Sequence, residues 1–325
     1  MKYQFIRKHD EQHSIEKMCQ TMEVSRGGYY AWQRQPYGPR LMAEAQLANR
    51  IRDIYWKHKR RYGSPRIAAQ LRREGRRVSQ RQVAELMAVL GLQAKGRRKF
   101  KHTTDTAHRR PVSPNLVGRQ PVVTAPNQIW VGDITYIPTG EGWLYLAVVV
   151  DLYSRLIVGW AMGTRLHTSL VVAALAGGLL RRGGIAPLIF HSDRGSQYAS
   201  HEYQRLLAKH QIFGSMSGKG NCYDNAWSES IFHTLKVELV HDEWYPTRAQ
   251  ARTSIFEYME VYYNRQRLHS SLGDVPPAEY EQAMPAGPAA MAFTRPEGWG
   301  CLDVGRPESD AHIASDEQVL AAARC

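Results

Sequence analysis

Cysteine is scarce: Cys19, Cys222, Cys301 and Cys325 are the only four. None belongs to a C-x-x-C pair, and the scattered histidines make no cluster with them, so neither a zinc site nor a disulfide framework is indicated. That usage fits a reducing, cytoplasmic compartment. The opening residues, MKYQFIRKHD, lack the apolar run of a signal peptide. The longest apolar stretch, residues 169–180, is far short of the ~20 residues of a membrane span, so no membrane partner is expected. There are no internal repeats and no sustained heptads, so no coiled-coil segment is expected either. Acidic residues are few at the front of the chain. Residues 1–120 carry 27 Lys+Arg against 9 Asp+Glu, whereas the remainder carries 16 against 21, for a total of +13. A basic front half joined to a slightly acidic rear half suggests a module that grips nucleic acid beside one that uses carboxylates. With 43% apolar residues over 325, the chain can bury two cores.

The front half reads as helices. Ser14 can cap a helix with Ile15, Met18, Cys19 and Met22 on one side. Residues 24–28, with Gly27 and Gly28, are expected to break it before Tyr29 and Trp32, giving a small helix-turn-helix-like unit. Residues 35–39 look like a linker. A helix over about 41–59 follows, then one in which Ser64 caps and Pro65 opens the first turn. Ile67, Ala68 and Leu71 form its inner face. Ser79 to Gln82 reads as a capping box, with Val83, Leu86, Met87 and Leu90 as the apolar stripe behind it. Two short helices with a tight turn match a helix-turn-helix. In that motif Gln80, Arg81 and Gln82 would face base edges. Arg72, Arg73, Arg76, Arg77 and Arg81 would contact phosphates. A plain helical hairpin has the same pattern. The expected division is a helical DNA-binding region at 1–93, a basic linker at 94–120, a carboxylate-using core domain at 121–284 and a disordered tail at 285–325. That tail has a possible helix near 316–323.

From residue 128 the pattern turns to β. Residues 128–137, 143–152 and 156–162 read as an antiparallel meander. A helix at 168–181, a strand at 188–190, a helix at 201–209 and a strand at 212–216 follow. Residues 221–236, NCYDNAWSESIFHTLK, read as a helix capped by Asp224 or Asn225. A last long helix covers about 247–264. This order is that of an α/β fold with an RNase H-like core, a mixed five-stranded sheet flanked by helices.

Three acids stand out. Asp133 sits mid-strand among apolar neighbours, where an unpaired carboxylate is costly. Asp193 ends another strand beside Gly195, and strand ends are favoured site positions. Glu229 lies on the helix at 221–236. Wound at ~100° per residue, that helix gathers Asn225, Glu229, His233 and Lys236 on one arc. Trp227, Ile231, Phe232, Leu235 and Leu239 fall on another, and Glu238 falls on that apolar side. Three such carboxylates can bind two Mg²⁺ ions. Taken singly, each acid also fits a cap or a turn.

The blocks WVGDITY (130–136), HSDRGSQY (191–198) and NCYDNAWSES (221–230) resemble those of the DDE insertion-sequence transposases, which share the retroviral integrase catalytic core. Thirty-five residues separate Asp193 from Glu229, the family's spacing. Residues 263–273, YNRQRLHSSLG, with Pro276 and Pro277, resemble its closing block. The resemblance covers about residues 1–283. It implies that Asp133, Asp193 and Glu229 hold Mg²⁺ (Mn²⁺ can substitute) and that Lys236 contacts DNA near the scissile phosphate. Asn225 and His191 would support them. It also implies metal-dependent 3′-end cleavage and strand transfer. The expected partners are the element ends and target DNA, further copies of the chain, and an upstream product fused by frameshift, in the bacterial cytoplasm at the nucleoid. The His/Cys zinc module of retroviral integrases is missing, and the tail has no counterpart. The alternatives are a DNA-binding regulator with a non-functional core and a nuclease of the same fold.

Overall fold

The structure, a computed structural model, describes residues 1–34, 38–96, 112–118, 121–183, 187–218 and 226–283. The expected tail, most of the basic linker, and Asp224 and Asn225 lie outside the described residues. The chain divides into two compact units, Met1–Lys95 and Gly96–Cys325.

The first unit is helical where described. α1 (Lys2–Lys8), α2 (Ile15–Thr21) and α3 (Arg26–Arg34) close around Ile6, Met18, Cys19 and Tyr29. Gly27 and Gly28 do not break the chain; they form the first turn of α3. Ser25 Oγ accepts from Gly28 N at 3.0 Å, which caps that turn. A Cβ on Gly28 would collide with the Tyr3 hydroxyl, so the glycine serves the close approach of α1. The reversal itself lies at Glu23, with φ +54. α4 (Pro39–Lys57), α5 (Ser64–Arg73) and α6 (Gln80–Val89) follow. Leu47, Ile51 and Ile54 of α4, Ile67 and Leu71 of α5, and Val83, Leu86 and Met87 of α6 are buried. Each such fully buried side chain contributes about 1.5–3 kcal/mol. Ser64 is not the cap of α5; Gly63 holds that position and Ser64 lies inside the first turn. Ser79 does cap α6, accepting from Gln82 N at 3.1 Å. Arg50 grips Glu74 through two hydrogen bonds, 2.8 and 2.7 Å, and ties α4 to the turn after α5.

The second unit holds a five-stranded sheet. β1 (Ile129–Thr139), β2 (Gly142–Asp151) and β3 (Ile157–Gly163) form the antiparallel meander. α7 (Thr168–Arg182) leads to β4 (Leu188–Ser192), which runs parallel to β1. α8 (His201–Lys209) leads to β5 (Ile212–Met216), parallel to β4. The strand order is β3-β2-β1-β4-β5. Trp130, Val149, Val158, Leu175, Phe190 and Tyr203 share one core cluster with further residues of α7 and α8. α9 (Ala226–Glu238) lies against β1, and α10 (Arg248–Phe256) against β1 and β2. The mixed sheet with flanking helices is the RNase H-like arrangement expected from the element order. The last helix differs from expectation. Beyond α10 the chain is π-wound over Glu257–Tyr263. From that segment Glu260 accepts from Trp160 Nε1 and Arg181. α11 (Pro277–Ala283) ends the described chain.

Candidate active site

β1 and β4 pair in parallel from Ile129 opposite Ile189 to Gly132 opposite Ser192. The next residues are Asp133 and Asp193. β4 stops there while β1 runs on to Thr139. The two aspartates therefore stand side by side, on strands about 5 Å apart, at the carboxyl end of a parallel pair. Open α/β sheets bind their ligands at such ends. A Cβ on Gly132 would collide with the Phe190 ring, so this glycine lets Phe190 pack across β1 just before Asp133.

Local hydrogen bonds hold both acids. Asp133 Oδ1 accepts from Ile134 N at 2.7 Å, and Asp193 Oδ1 accepts from Gly195 N at 2.9 Å. Arg194 Nε donates to the Ser217 carbonyl at 2.7 Å, fixing the loop after Asp193 to the end of β5. His191 is fully buried. Its Nδ1 lies 2.9 Å from Ser215 Oγ and its Nε2 3.3 Å from Ser217 Oγ, so it braces β4 against β5. Tyr198, not singled out in the sequence, is buried nearby. Burial raises its phenol well above the usual range, and the charges of Asp133 and Asp193 both add to the shift. One group thus senses both carboxylates.

α9 presents two faces. Ile231, Phe232, Leu235 and Leu239 are buried, as the helical winding predicts. Glu238 is buried with them. Arg267 Nε and Nη2 donate to its carboxylate at 2.8–3.0 Å, and the Tyr258 hydroxyl donates at 2.9 Å. Glu229 is exposed in the first turn. Lys236 Nζ sits 5.2 Å from the centre of the Tyr136 ring. Burial holds its ammonium below the ordinary lysine range, and the charge of Asp133 opposes that shift.

At the other end of α9, the Arg155 guanidinium lies 4.0 Å over the Trp227 ring. Arg155 follows Asp151, which pairs with Trp130 at the start of β1. α9 therefore runs alongside β1 in the same direction. Back from Lys236 to Glu229 is about 10 Å of helix. Back from Tyr136 to Asp133 is about 10 Å of strand. Glu229 comes to about the level of Asp133. Among the described residues, no three carboxylate, imidazole or thiol groups meet closely enough to hold a metal ion.

In the first unit Arg72, Arg73, Arg76, Arg77, Gln80, Arg81 and Gln82 are all exposed, along the end of α5, the turn and the start of α6. Arg81 pairs with Glu85 at 2.8 Å, and Arg72 Nε donates to the Ala68 carbonyl at 3.2 Å.

A fourth acid, Asp151, escaped the sequence reading because an aspartate ending a strand looks like a turn residue. It is fully buried and accepts from Asn127 N at 2.7 Å, Tyr153 N at 2.9 Å and Trp130 Nε1 at 3.3 Å. Burial pushes its carboxyl up to about 6. Arg182, 3.9 Å away, also grips Glu281 at 2.6 and 2.7 Å. The group clasps the sheet, α7 and α11 together.

An integrase core domain family matches residues 123–222, and a second family of that description matches 229–284. An HTH-like domain family matches 42–100. Over 283 residues the chain is 44% identical to the transposase InsF for insertion sequence IS3A of Escherichia coli K12, across 86% of this chain and 98% of the relative. The chain belongs to the IS3 family of insertion-sequence transposases. The IS600 31 kDa protein of Shigella sonnei is 42% identical over 265 residues, 82% of this transposase and 97% of that protein. Among solved structures, the HTLV-2 integrase catalytic core domain in complex with magnesium is similar at 18% identity and TM-score 0.38, over 48% of this chain and 97% of that one. The simian T-cell lymphotropic virus intasome with a PP2A regulatory subunit is similar at 18% identity and TM-score 0.44, over 70% and 75%. In the transposase, Asp133 and Asp193 fall within the first integrase match, and Glu229 opens the second.

Proposed function

We propose that this transposase cuts and joins DNA at the ends of its element through one acidic centre, made of Asp133, Asp193 and Glu229. The observation that carries the reading is the strand register that sets Asp133 beside Asp193, with Lys236 in the field of Asp133. The donor set is all carboxylate oxygen, which suits Mg²⁺ or Mn²⁺. Asp133 and Asp193 would hold the metal, and Glu229, which does not meet them closely enough to share an ion in this structure, would be drawn in from the start of α9 when DNA binds. When bound, two such ions supply charge neutralisation at a phosphodiester.

The chain's own groups do the rest. The bracing of Asp193 by Gly195 and Arg194 keeps the pair in place as DNA arrives. Lys236 offers its ammonium to a phosphate next to the scissile bond. Water attacks the phosphorus at the element end, the P–O3′ bond breaks and a 3′-hydroxyl leaves. That hydroxyl then attacks a target phosphodiester and displaces a second 3′-oxygen, so no oxidant or reductant is needed.

Residues 1–93 would hold DNA while 121–284 perform the chemistry, joined by the basic segment 94–120. Arg72, Arg73, Arg76 and Arg77 would grip phosphates. Gln80, Arg81 and Gln82 would read base edges. The working form would be several copies on DNA in the bacterial cytoplasm, with a frameshift-fused upstream product as a further partner.

The test is to incubate purified protein with a labelled element end and Mg²⁺, with and without the upstream product. Joined products are expected. Cleavage without joining would mean a nuclease, and binding without either would mean a regulator.

A further inference from the structure

We infer that Tyr136 and Trp143 form a platform on which an unpaired base beside the reacting DNA end stacks; this rests on the transposase reading above. The pair is set by strand register. Tyr136 faces Tyr145 and Pro138 faces Trp143, so Tyr136 and Trp143 are diagonal neighbours on one face of the β1–β2 hairpin. Their ring centres are 4.9 Å apart and their planes meet at 82°. Both keep a third to a half of their surface in solvent, at 36% and 49% exposure.

The platform is rigid and flanked by positive charge. Arg248, opening α10, donates to the Trp143 carbonyl at 3.1 Å and to the Glu141 carbonyl at 2.6 Å, which fixes the hairpin tip. Lys236 lies over Tyr136 and within the field of Asp133. This one ammonium links the aromatic pair to the aspartates. Tyr136 is three residues beyond Asp133, about 10 Å along β1 and on its opposite face, and Lys236 reaches the ring where β1 runs on past the end of β4.

The occupant follows from the chemistry of the rings. Bases inside a duplex already stack on each other and present no face. A base near an end leaves the stack at least cost, and cutting creates such an end. Stacking on an aromatic ring is tolerant of base identity, and a neighbouring ammonium suits the adjoining phosphate. From the ring face the strand would cross the free edge of β1, left open where β4 stops, to bring its phosphate to Asp133 and Asp193.

The experiment uses the full chain and a duplex with a short single-stranded tail, carrying 2-aminopurine in turn at each of about six positions around the junction. Fluorescence is read without divalent metal. Quenching is expected at one position or two adjacent ones. It should disappear in Tyr136→Ala and Trp143→Ala and persist in Tyr136→Phe and Trp143→Phe. Affinity for the tailed duplex should fall roughly tenfold or more in the alanine variants. Quenching unchanged in the alanine variants, or absent at every position, would overturn the platform. Mg²⁺-dependent cutting and joining are measured on the same preparations. Joining without quenching would remove the platform and leave the transposase chemistry standing. Quenching that depends on both rings, without any cutting, would keep the platform and remove the chemistry.

Discussion

Two carboxylates of one sheet, Asp133 and Asp151, have opposite surroundings. Asp133 is half-buried at the mouth of the β1–β4 notch, whereas Asp151 is sealed among three donors. Burial raises Asp151 to about 6 from an ordinary value of 3.8. Between those values the folded protein keeps a proton that the unfolded chain releases. Stability from this group is therefore full below pH 3.8 and falls as pH rises through 6, by about 3 kcal/mol. Urea unfolding from pH 4 to 7 should show that fall, and Asp151→Asn should flatten it. Lys236→Met keeps the stem and loses the charge, so the slope of log affinity for an element end against log salt should drop by about one.

The two faces of α9 do different work. Glu238→Ala leaves the Arg267 guanidinium buried without its carboxylate and should cost about 3–5 kcal/mol in urea unfolding. Glu229→Gln on the exposed face should cost less than about 0.5 kcal/mol while removing activity. The winding of the helix made this division legible. Apolar spacing alone separated Glu229 and Lys236 from Glu238, and the burial of Ile231, Leu235 and Leu239 agrees with it. The partner of Glu238 was not legible, since Arg267 lies 29 residues further on and is brought back by the π-wound segment and the turn after it. Gly28 misled for a related reason: a glycine that admits the Tyr3 hydroxyl looks, in sequence, like one that breaks a helix. The short helices α1 and α11 were unforeseen because KYQFIRK and PAEYEQA lack the i, i+3, i+4, i+7 apolar spacing that revealed the equally short α2. The aspartates were found as single residues, but their adjacency depends on a β1–β4 register that no local pattern encodes.

On the scale of the whole molecule the charge is segregated, with net positive charge concentrated in residues 1–120. Replacing Arg72, Arg73, Arg76 and Arg77 together by Gln should weaken binding about equally for all DNA sequences and lower the salt slope by roughly three to four. Replacing Gln80 or Gln82 by Ala should instead relax sequence preference, by about 1–3 kcal/mol at the base pair concerned. Filter binding across salt concentrations and competitor sequences distinguishes the two. The most direct measurement for the three-carboxylate centre is Mg²⁺-dependent release of a 3′-hydroxyl end by Asp133→Asn, Asp193→Asn and Glu229→Gln, singly and in pairs. Each single variant should cut roughly 100-fold or more slowly while still binding DNA, and the pairs should fall little further, as groups acting in one unit do. A Glu229→Gln protein that cuts at the unsubstituted rate would contradict the three-carboxylate centre.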